Sequence, residues 1–336
     1  MKFAELPYNQ ALAGTFAAIA DSGRIPHALM LHESDGGGGA FALALAFLQY
    51  LYCRNRAGGD SCGLCPNCNK ISKLIHPDLH FVFPVAIEAG KVSQQTAPSE
   101  LFTGVFRELA LANPAFTEQE LYTACGFEGK NPLITVAEAN ALVRVLSLHS
   151  LEGGYTSVLI YLPERMHNSA SNKLLKLLEE PPAKTLFILI THAPEKLLPT
   201  IVSRCQMFHL PSKPGSEALS FDDGGMLDSL MEALVRKDLS AALAVGEKLG
   251  AYKSREKAKS FCRYAAEKFR RVFLVQQGLG ALAGGDAQAE AWAKAVSPRF
   301  PRRALEMLDR SVSRIDRNIN LKILFTDLVD RMYVNI

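Results

Sequence analysis

Four cysteines crowd into a short segment of this chain. Cys53, Cys62, Cys65 and Cys68 have eight, two and two residues between them and are four of the seven cysteines. Close pairs of cysteines favour a metal site, and four cysteine ligands make a closed, structural zinc site with no open position for chemistry. An iron–sulfur cluster uses the same ligands, but nothing else in the sequence suggests electron transfer. The sequence therefore predicts a structural zinc ion in a reducing compartment.

A glycine loop between a strand and a helix is a second candidate site. The run His27–His32 is typical of a short buried strand, and an alanine- and leucine-rich helix begins at Ala40. The loop contains Gly36, Gly37, Gly38 and Gly39. This order is that of a P-loop, whose amides cradle phosphates while a lysine and a Ser/Thr hydroxyl contact the phosphates and magnesium. Here Ala40 occupies the lysine position and Phe41 the hydroxyl position, which predicts a degenerate P-loop.

The strand that should supply the metal-binding carboxylates of such a nucleotide site is altered too. The run Val158–Leu162 should lead into carboxylates that hold the metal and position water. The chain instead reads Tyr161-Leu162-Pro163, with Glu164 following. Neither the glycine loop nor the end of this strand carries the residues that catalysis needs, so we expect no ATP hydrolysis by this chain itself. If the glycines are only a flexible loop, the same conclusion about catalysis holds.

These sites need a scaffold of strands and helices. The apolar runs Val158–Leu162 and Thr185–Ile190 flank a helical stretch from Asn168 to Glu180 that two prolines end. Buried strands joined by crossover helices predict an α/β fold with a parallel sheet covered on both faces. The residues Thr135-Val136-Ala137-Glu138 fit a capping box that opens a helix through about His149.

The character of the sequence changes along the chain. We predict a sheet domain over residues 1–211, with a cysteine module at 53–68 and an insertion at about 84–130. A linker at 212–225 leads into an all-helical domain over 226–336, where apolar residues recur at helical spacing.

Composition limits the class of protein. With 336 residues and 48% hydrophobic content, the chain can form two or three packed domains. No apolar run is long enough to span a membrane, and the first residues have no signal-peptide core, so we expect a cytoplasmic location. The net charge of +3 does not by itself indicate a nucleic-acid binder.

Several stretches resemble the delta prime subunit of the bacterial DNA polymerase III clamp loader, an AAA+ protein. They are Arg24-Ile25-Pro26-His27-Ala28-Leu29, Cys62-Gly63-Leu64-Cys65-Pro66-Asn67-Cys68, Ile75-His76-Pro77-Asp78, Asn172 to Pro182, and Leu197 to Cys205. The resemblance implies an AAA+ sheet domain, a helical collar that joins a ring, and a subunit without ATPase activity of its own. The implied partners are gamma- or tau-like ATPase subunits, a delta-like subunit, the sliding clamp and primed DNA.

The Ser203-Arg204-Cys205 sequence looks like the Ser-Arg-Cys motif of clamp loaders. In that family the arginine reaches ATP held by the adjacent subunit, so the resemblance implies that Arg204 is an arginine finger in trans. Fingers of this kind can be worth about 10³ to 10⁵ in kcat. ATP is therefore expected only at a neighbouring subunit's site.

The sequence departs from the family pattern after Pro211, and two other functions remain open. The small helical lid expected between the Ser-Arg-Cys region and the collar is shortened or absent, because only 212–225 separates them. One alternative is an active AAA+ ATPase of the same complex. The other is a zinc-dependent nucleic-acid-binding protein that reads through Arg56, Lys70 and Lys73 near the cysteines.

Overall fold

A sheet of five parallel strands forms the centre of the first part of the chain. The strands are β1 (Ala28–Glu33), β2 (Leu79–Val82), β3 (Thr156–Tyr161), β4 (Thr185–Thr191) and β5 (Gln206–Leu210). Their order across the sheet is β2-β3-β4-β1-β5, and all neighbouring pairs are parallel. Parallel neighbours need crossover connections, which helices usually supply. The predicted α/β class with a parallel sheet is confirmed.

Two compact units divide the chain, residues 1–213 and 214–336. The computed structural model describes residues 1–6, 9–33, 39–86, 97–147, 150–211, 224–252, 255–283, 285–317 and 319–336. Gly36, Gly37 and Gly38 of the predicted P-loop lie outside the described residues, as do 212–223 of the predicted linker. The domain roles assigned from the sequence stay predictions.

Helices cover both faces of the sheet. Those of the first unit are α1 (Gln10–Asp21), α2 (Ala40–Tyr52), α3 (Pro66–Ser72), α4 (Thr103–Ala112), α5 (Glu118–Ala124), α6 (Val136–Leu146), α7 (Asn168–Glu179) and α8 (Pro199–Val202). Side chains alternate along a strand, so Leu29 and Leu31 of β1 join one core with residues of α1 and α2. Ala28 and Met30 join a second core with residues of α6, α7 and α8. The sheet is therefore buried on both sides.

The predicted insertion at 84–130 contributes aromatic residues to the first core. Phe106 of α4 stacks on Phe83, with ring centroids 4.3 Å apart, and also contacts Phe81 of β2. Phe116 and Phe127 are buried in the same core. The described part of this segment is therefore packed against the β2 region of the sheet.

The start of α6 corrects a local prediction. Thr135 precedes the helix, but its side chain makes no capping hydrogen bond, so the predicted capping box is wrong. The carboxylate of Glu138 instead accepts hydrogen bonds from the backbone N–H and the hydroxyl of Ser99. Burial raises the pKa of Glu138 to about 7. The helix ends at Leu146, short of His149, which lies outside the described residues.

The described part of the second unit is helical. Its helices are α9 (Gly224–Val235), α10 (Leu239–Gly250), α11 (Arg255–Gln276), α12 (Ala287–Ala295), α13 (Phe300–Asp316) and α14 (Leu321–Asn335), with a short 3-10 helix at Gly280–Ala283. Phe261, Phe269, Phe300 and Phe325 are fully buried in its core. Across the described ranges, no helix combines the length and the apolar character that crossing a bilayer requires.

Replacing Gly250 with alanine is expected to destabilise the second unit. A Cβ on Gly250 would lie 2.7 Å from the Cα of Lys322 at the start of α14, so backbone would have to move. Overpacking of this kind costs about 1–3 kcal/mol, more than the helix propensity of alanine returns. Thermal unfolding would measure the effect. Gly225→Ala in α9 is the control, because its Cβ would meet no atom within 4 Å. Equal unfolding temperatures for Gly250→Ala and the unsubstituted chain would contradict the prediction.

Candidate functional site

The four cysteines lie between the end of α2 and the first turn of α3. Cys53 follows α2, Cys62 lies in the loop, and Cys65 and Cys68 stand at the N-terminal end of α3. Three glycines of this loop, at positions 58, 59 and 63, have φ between 62° and 76°. Glycine adopts this left-handed region without the steric cost that a Cβ imposes. The turns at these glycines bring the cysteines together.

The thiol geometry suits a metal ion. All four Sγ atoms lie within 4.8 Å of one another, and those of Cys62 and Cys68 are 3.9 Å apart. Tetrahedral zinc with Zn–S bonds of about 2.3 Å requires sulfur atoms about 3.8 Å apart. The cysteines are free thiols rather than disulfides. The cluster could therefore hold a metal ion.

Backbone N–H groups point at these sulfur atoms. The N–H of Cys62 donates to Cys53 Sγ at 3.3 Å, and the N–H of Cys65 donates to Cys62 Sγ at 3.4 Å. Hydrogen bonds from the backbone N–H groups of Leu64 and Cys65 lower the pKa of the Cys62 thiol to about 6. Because N–H donors favour the thiolate, these contacts favour the metal-binding form of Cys62.

The cysteine loop is also tied to the rest of its unit. The carboxylate of Asp60 accepts hydrogen bonds from the backbone N–H groups of Phe3 and Ala4, both at 3.0 Å. The side-chain amide of Asn67 donates to the carbonyl of Tyr52 at 3.0 Å. The loop therefore links the first residues of the chain to the end of α2.

Two of the three basic residues near the cysteines are engaged within the protein. Arg56 pairs with Asp21 at 3.2 Å and also donates to the carbonyl of Leu51. Lys70 pairs with Glu152. This pairing weakens the hypothesis that Arg56, Lys70 and Lys73 form a nucleic-acid reading surface, since phosphate contacts would compete with these ion pairs.

The first helical residue after the glycine loop is bound by a carboxylate of the chain itself. Gly39 precedes α2 in the left-handed conformation, and the N–H of Ala40 donates to Glu33 Oε2 at 2.9 Å. Glu33 ends β1 and is buried. In a P-loop, the N–H groups at this helix start would face phosphate oxygens. The carboxylate of Glu33 satisfies the Ala40 N–H instead.

The residue at the hydroxyl position belongs to the core. The ring of Phe41 makes edge contacts with Phe106 at 5.7 Å and Phe116 at 5.2 Å between centroids. Phe116 in turn contacts Tyr161 at the end of β3. The two positions that would approach magnesium from α2 and β3 are thus occupied by one aromatic cluster.

The carboxylate that follows β3 joins two strand ends. Glu164 accepts a hydrogen bond from the hydroxyl of Thr191 at 2.8 Å and another from the N–H of His192 at 2.9 Å. The ring of His192 lies beside Tyr161, and its Nε2 is 3.9 Å from Glu33 Oε1. Glu164 therefore stabilises the edge of the sheet where β3 and β4 end.

Arg204 lies just beyond α8, with its guanidinium held at two points. One terminal nitrogen, Nη1, donates to the carbonyl of Thr200 at 2.9 Å. The other, Nη2, donates to Glu179 Oε1 at 2.7 Å, at the end of α7. The side chain of Arg204 is 34% exposed and that of Glu179 is 42% exposed. The guanidinium is therefore ordered and still accessible from solvent.

The neighbours of Arg204 in the sequence have different environments. Ser203 is exposed, and its hydroxyl donates to the carbonyl of Thr200 at 3.2 Å. Cys205 packs against the second core of the sheet unit, and burial raises the pKa of its thiol to about 12. A thiol held protonated is a poor nucleophile. Cys205 therefore anchors the loop, while Arg204 and Ser203 face outward.

The comparison with known families decides what kind of protein this is. A family model described as "DNA polymerase III, delta subunit" matches residues 8–214. The chain belongs to this family. The match includes the cysteine loop, the glycine loop and the Ser203-Arg204-Cys205 sequence, whereas residues 215–336 lie beyond it.

Relatives within this family carry the delta′ name. The DNA polymerase III subunit delta′ of Yersinia pestis is 33% identical over 204 residues, which is 61% of this chain and 46% of that protein. The delta′ subunit of Escherichia coli K12 is 30% identical over 204 residues, 61% of this chain and 48% of that protein. The chain thus spans about half the length of these relatives. The resemblance to delta prime subunits is confirmed.

Weaker similarities are found to a tau subunit and to a gamma subunit-related protein of DNA polymerase III. The tau subunit of DNA polymerase III from Salmonella typhimurium is 28% identical over 208 residues, 62% of this chain and 25% of that protein. A solved structure of a gamma subunit-related protein from Thermotoga maritima covers 96% of this chain and 99% of its own, with 15% identity and a TM-score of 0.38.

One of the stretches that resemble delta prime subunits has a structural role in this chain. In Ile75-His76-Pro77-Asp78, the carboxylate of Asp78 accepts hydrogen bonds from the N–H groups of Leu151 and Glu152 and from the hydroxyl of Ser150. His76 is buried and accepts from the N–H of Asp78. The motif thus fastens the loop that leads into β3.

Sequence reasoning did not identify Glu33 and Glu179. Glu33 accepts a hydrogen bond from the N–H of Ala40, and Glu179 accepts one from Arg204. Glu33 follows the run predicted as a strand, and Glu179 lies near the end of a helix that was predicted. Both are ordinary acidic residues in sequence terms. The Glu-Glu-Pro-Pro sequence at the end of α7 is part of the resemblance and drew attention to Glu179. It does not indicate that Glu179 pairs with Arg204.

Proposed function

We propose that this chain is a non-catalytic clamp-loader subunit of DNA polymerase III, similar to delta′. One observation carries the proposal: the N–H of Ala40, where a phosphate would dock in a P-loop, is bound by the buried carboxylate of Glu33. Membership of the DNA polymerase III delta subunit family supports the assignment to this complex. The hydrogen bond between Ala40 and Glu33 supports the proposed lack of ATP hydrolysis.

Electrostatics disfavours nucleotide turnover at this site. A P-loop lysine offsets triphosphate charge and a hydroxyl holds magnesium, but Ala40 and Phe41 can do neither. The side chain of Glu33 already accepts the Ala40 N–H that a phosphate oxygen would use, and in its ionised form it would repel a phosphate. Phe41 is part of an aromatic core, so a buried ring occupies the position where a hydroxyl would bind magnesium.

We propose that Arg204 contributes to ATP hydrolysis at the site of an adjacent subunit. A guanidinium stabilises negative charge that develops on a transferred phosphoryl group. Arg204 is accessible, lies in a Ser-Arg-Cys sequence, and stands in a chain whose own site cannot use it. In this proposal Arg204 completes the ATP site of a neighbouring gamma- or tau-like subunit.

The remaining parts have supporting roles in this proposal. Cys53, Cys62, Cys65 and Cys68 hold a structural zinc ion, residues 1–211 form the AAA+-like domain, and 226–336 form the collar that joins the ring. The ring also contains a delta-like subunit and opens the sliding clamp onto primed DNA in the cytoplasm. The short 212–225 segment stands where relatives would carry a lid.

The two alternatives have less support. An active ATPase would need a cation and a metal ligand at positions that hold Ala40 and Phe41. A zinc-dependent nucleic-acid binder would need free basic side chains beside the cysteines, but Arg56 and Lys70 are engaged with Asp21 and Glu152.

Reconstitution tests the proposed function. The full chain is mixed with the gamma- or tau-like and delta-like subunits of the same organism, and co-elution and DNA-stimulated ATP hydrolysis are measured. We expect the chain to co-elute with the complex, to raise hydrolysis by the mixture, and to hydrolyse no ATP alone. Hydrolysis by the chain alone, lost on Gly39→Val, would favour the active-ATPase alternative. A chain that neither co-elutes nor raises hydrolysis would overturn the proposal.

A further inference from the structure

Glu179 and Arg204 form an ion pair between the ends of two helices. Nη2 of Arg204 lies 2.7 Å from Glu179 Oε1, and the two residues are 25 positions apart in the sequence. An ion pair this exposed contributes little to stability. Its main physical effect is to orient the guanidinium, which Thr200 and Glu179 bind together.

Both ends of the pair are fixed by buried neighbours. Helix α7 places Leu178, next to Glu179, in the second core of the sheet unit, and α8 places Ile201 in the same core. Each of these two residues is less than 2% exposed. The main chain that carries the carboxylate and the main chain that carries the guanidinium are thus anchored together. The ion pair therefore joins two helix ends whose main chains are held by the same core.

The two contacts leave part of the guanidinium open. Arginine has five N–H donors in a planar fork, and Thr200 and Glu179 engage one nitrogen each. Donors remain for a phosphate oxygen approaching from solvent. Holding a long side chain in one orientation reduces the entropy lost when it binds, and small displacements of a catalytic group have large effects on rate.

We propose that Glu179 is a positioning residue, which holds Arg204 in the orientation that reaches the γ-phosphate bound by a neighbouring subunit. The inference rests on the proposed function, because it assigns Glu179 a role only if Arg204 is a finger. It predicts that removing the Glu179 carboxylate lowers the rate of the chemical step, while the affinity of the neighbouring subunit for ATP stays the same.

The test compares single variants of the full chain in the reconstituted complex. For Glu179→Ala, kcat for ATP hydrolysis should fall on the order of tenfold, with KM within about twofold of its original value. Glu179→Gln keeps an oxygen acceptor and should restore most of kcat. Glu180→Ala removes the next exposed carboxylate and should leave kcat unchanged. Thermal unfolding should be the same for all, because the pair is exposed.

The outcomes separate the inference from the function on which it rests. An unchanged kcat in Glu179→Ala, with a large loss in Arg204→Ala, would overturn the positioning role alone. A higher kcat in Glu179→Ala would show that the carboxylate restrains the finger, and this also overturns it. An unchanged kcat in Arg204→Ala would remove the finger, and the positioning role with it.

Discussion

ATP hydrolysis at the neighbouring subunit's site is expected to fall by a factor on the order of 10³ when Arg204 is replaced by alanine. In the proposed function, the charge developing on the transferred phosphoryl group would lose the guanidinium of Arg204 as a donor. Because the side chain of Arg204 is 34% exposed and donates hydrogen bonds to the exposed residues Thr200 and Glu179, the variant should fold and assemble normally. Single-turnover hydrolysis in the assembled complex would measure the loss.

Two further variants sharpen this prediction. Arg204→Lys keeps the charge but loses the planar fork, so it should also lose most of the activity. Lys130→Ala removes an exposed cation of the sheet unit outside the Ser203-Arg204-Cys205 sequence and should leave the rate unchanged. The finger role would be wrong if assembled complexes containing Arg204→Ala hydrolysed ATP at the unsubstituted rate.

Periodicity predicted the buried centre of the sheet but not its edges. The strands β1, β3 and β4 appear in the sequence as continuous apolar runs, because both faces of a parallel sheet are covered. The outer strands β2 and β5 have only four and five residues, and β5 is largely exposed. Short runs of mixed polarity carry too little pattern to identify a strand.

Local motifs succeeded where their partners are close in sequence. The cysteine spacing predicted the sulfur cluster because the four residues lie within one loop and helix start. The capping box at Thr135 failed because the carboxylate of Glu138 found a partner 39 positions away, at Ser99. The pair of Glu179 and Arg204 is likewise set by helix packing, which no local pattern reports.

The residue at the predicted hydroxyl position of the glycine loop is part of the core of the fold. Phe41 is not an exposed remnant at a former metal position, since it packs with Phe106 and Phe116. Restoring a hydroxyl at this position would leave a cavity in an aromatic cluster, which is costly in a close-packed core. Packing in the core therefore favours the aromatic ring at this position.

Loss of the metal is expected to have the largest effect on stability. Structural zinc contributes about 10–16 kcal/mol of apparent binding free energy in small zinc domains, much of which is folding free energy. The full chain should contain one zinc ion, and Cys68→Ser should lose it because Cys68 is the most buried of the four thiols. Metal analysis and thermal unfolding with and without a chelator would measure both effects.

The consequences should reach beyond the cysteine loop, because this loop binds the start of the chain. Asp60 accepts the N–H groups of Phe3 and Ala4, so those two amides should exchange with solvent faster once the metal is removed. Cys125→Ala is the matched control: Cys125 is a buried thiol outside the cluster, so its loss should leave zinc content and the exchange of both amides unchanged. Iron with inorganic sulfide in place of zinc, or unfolding that does not respond to a chelator, would contradict the structural zinc assignment.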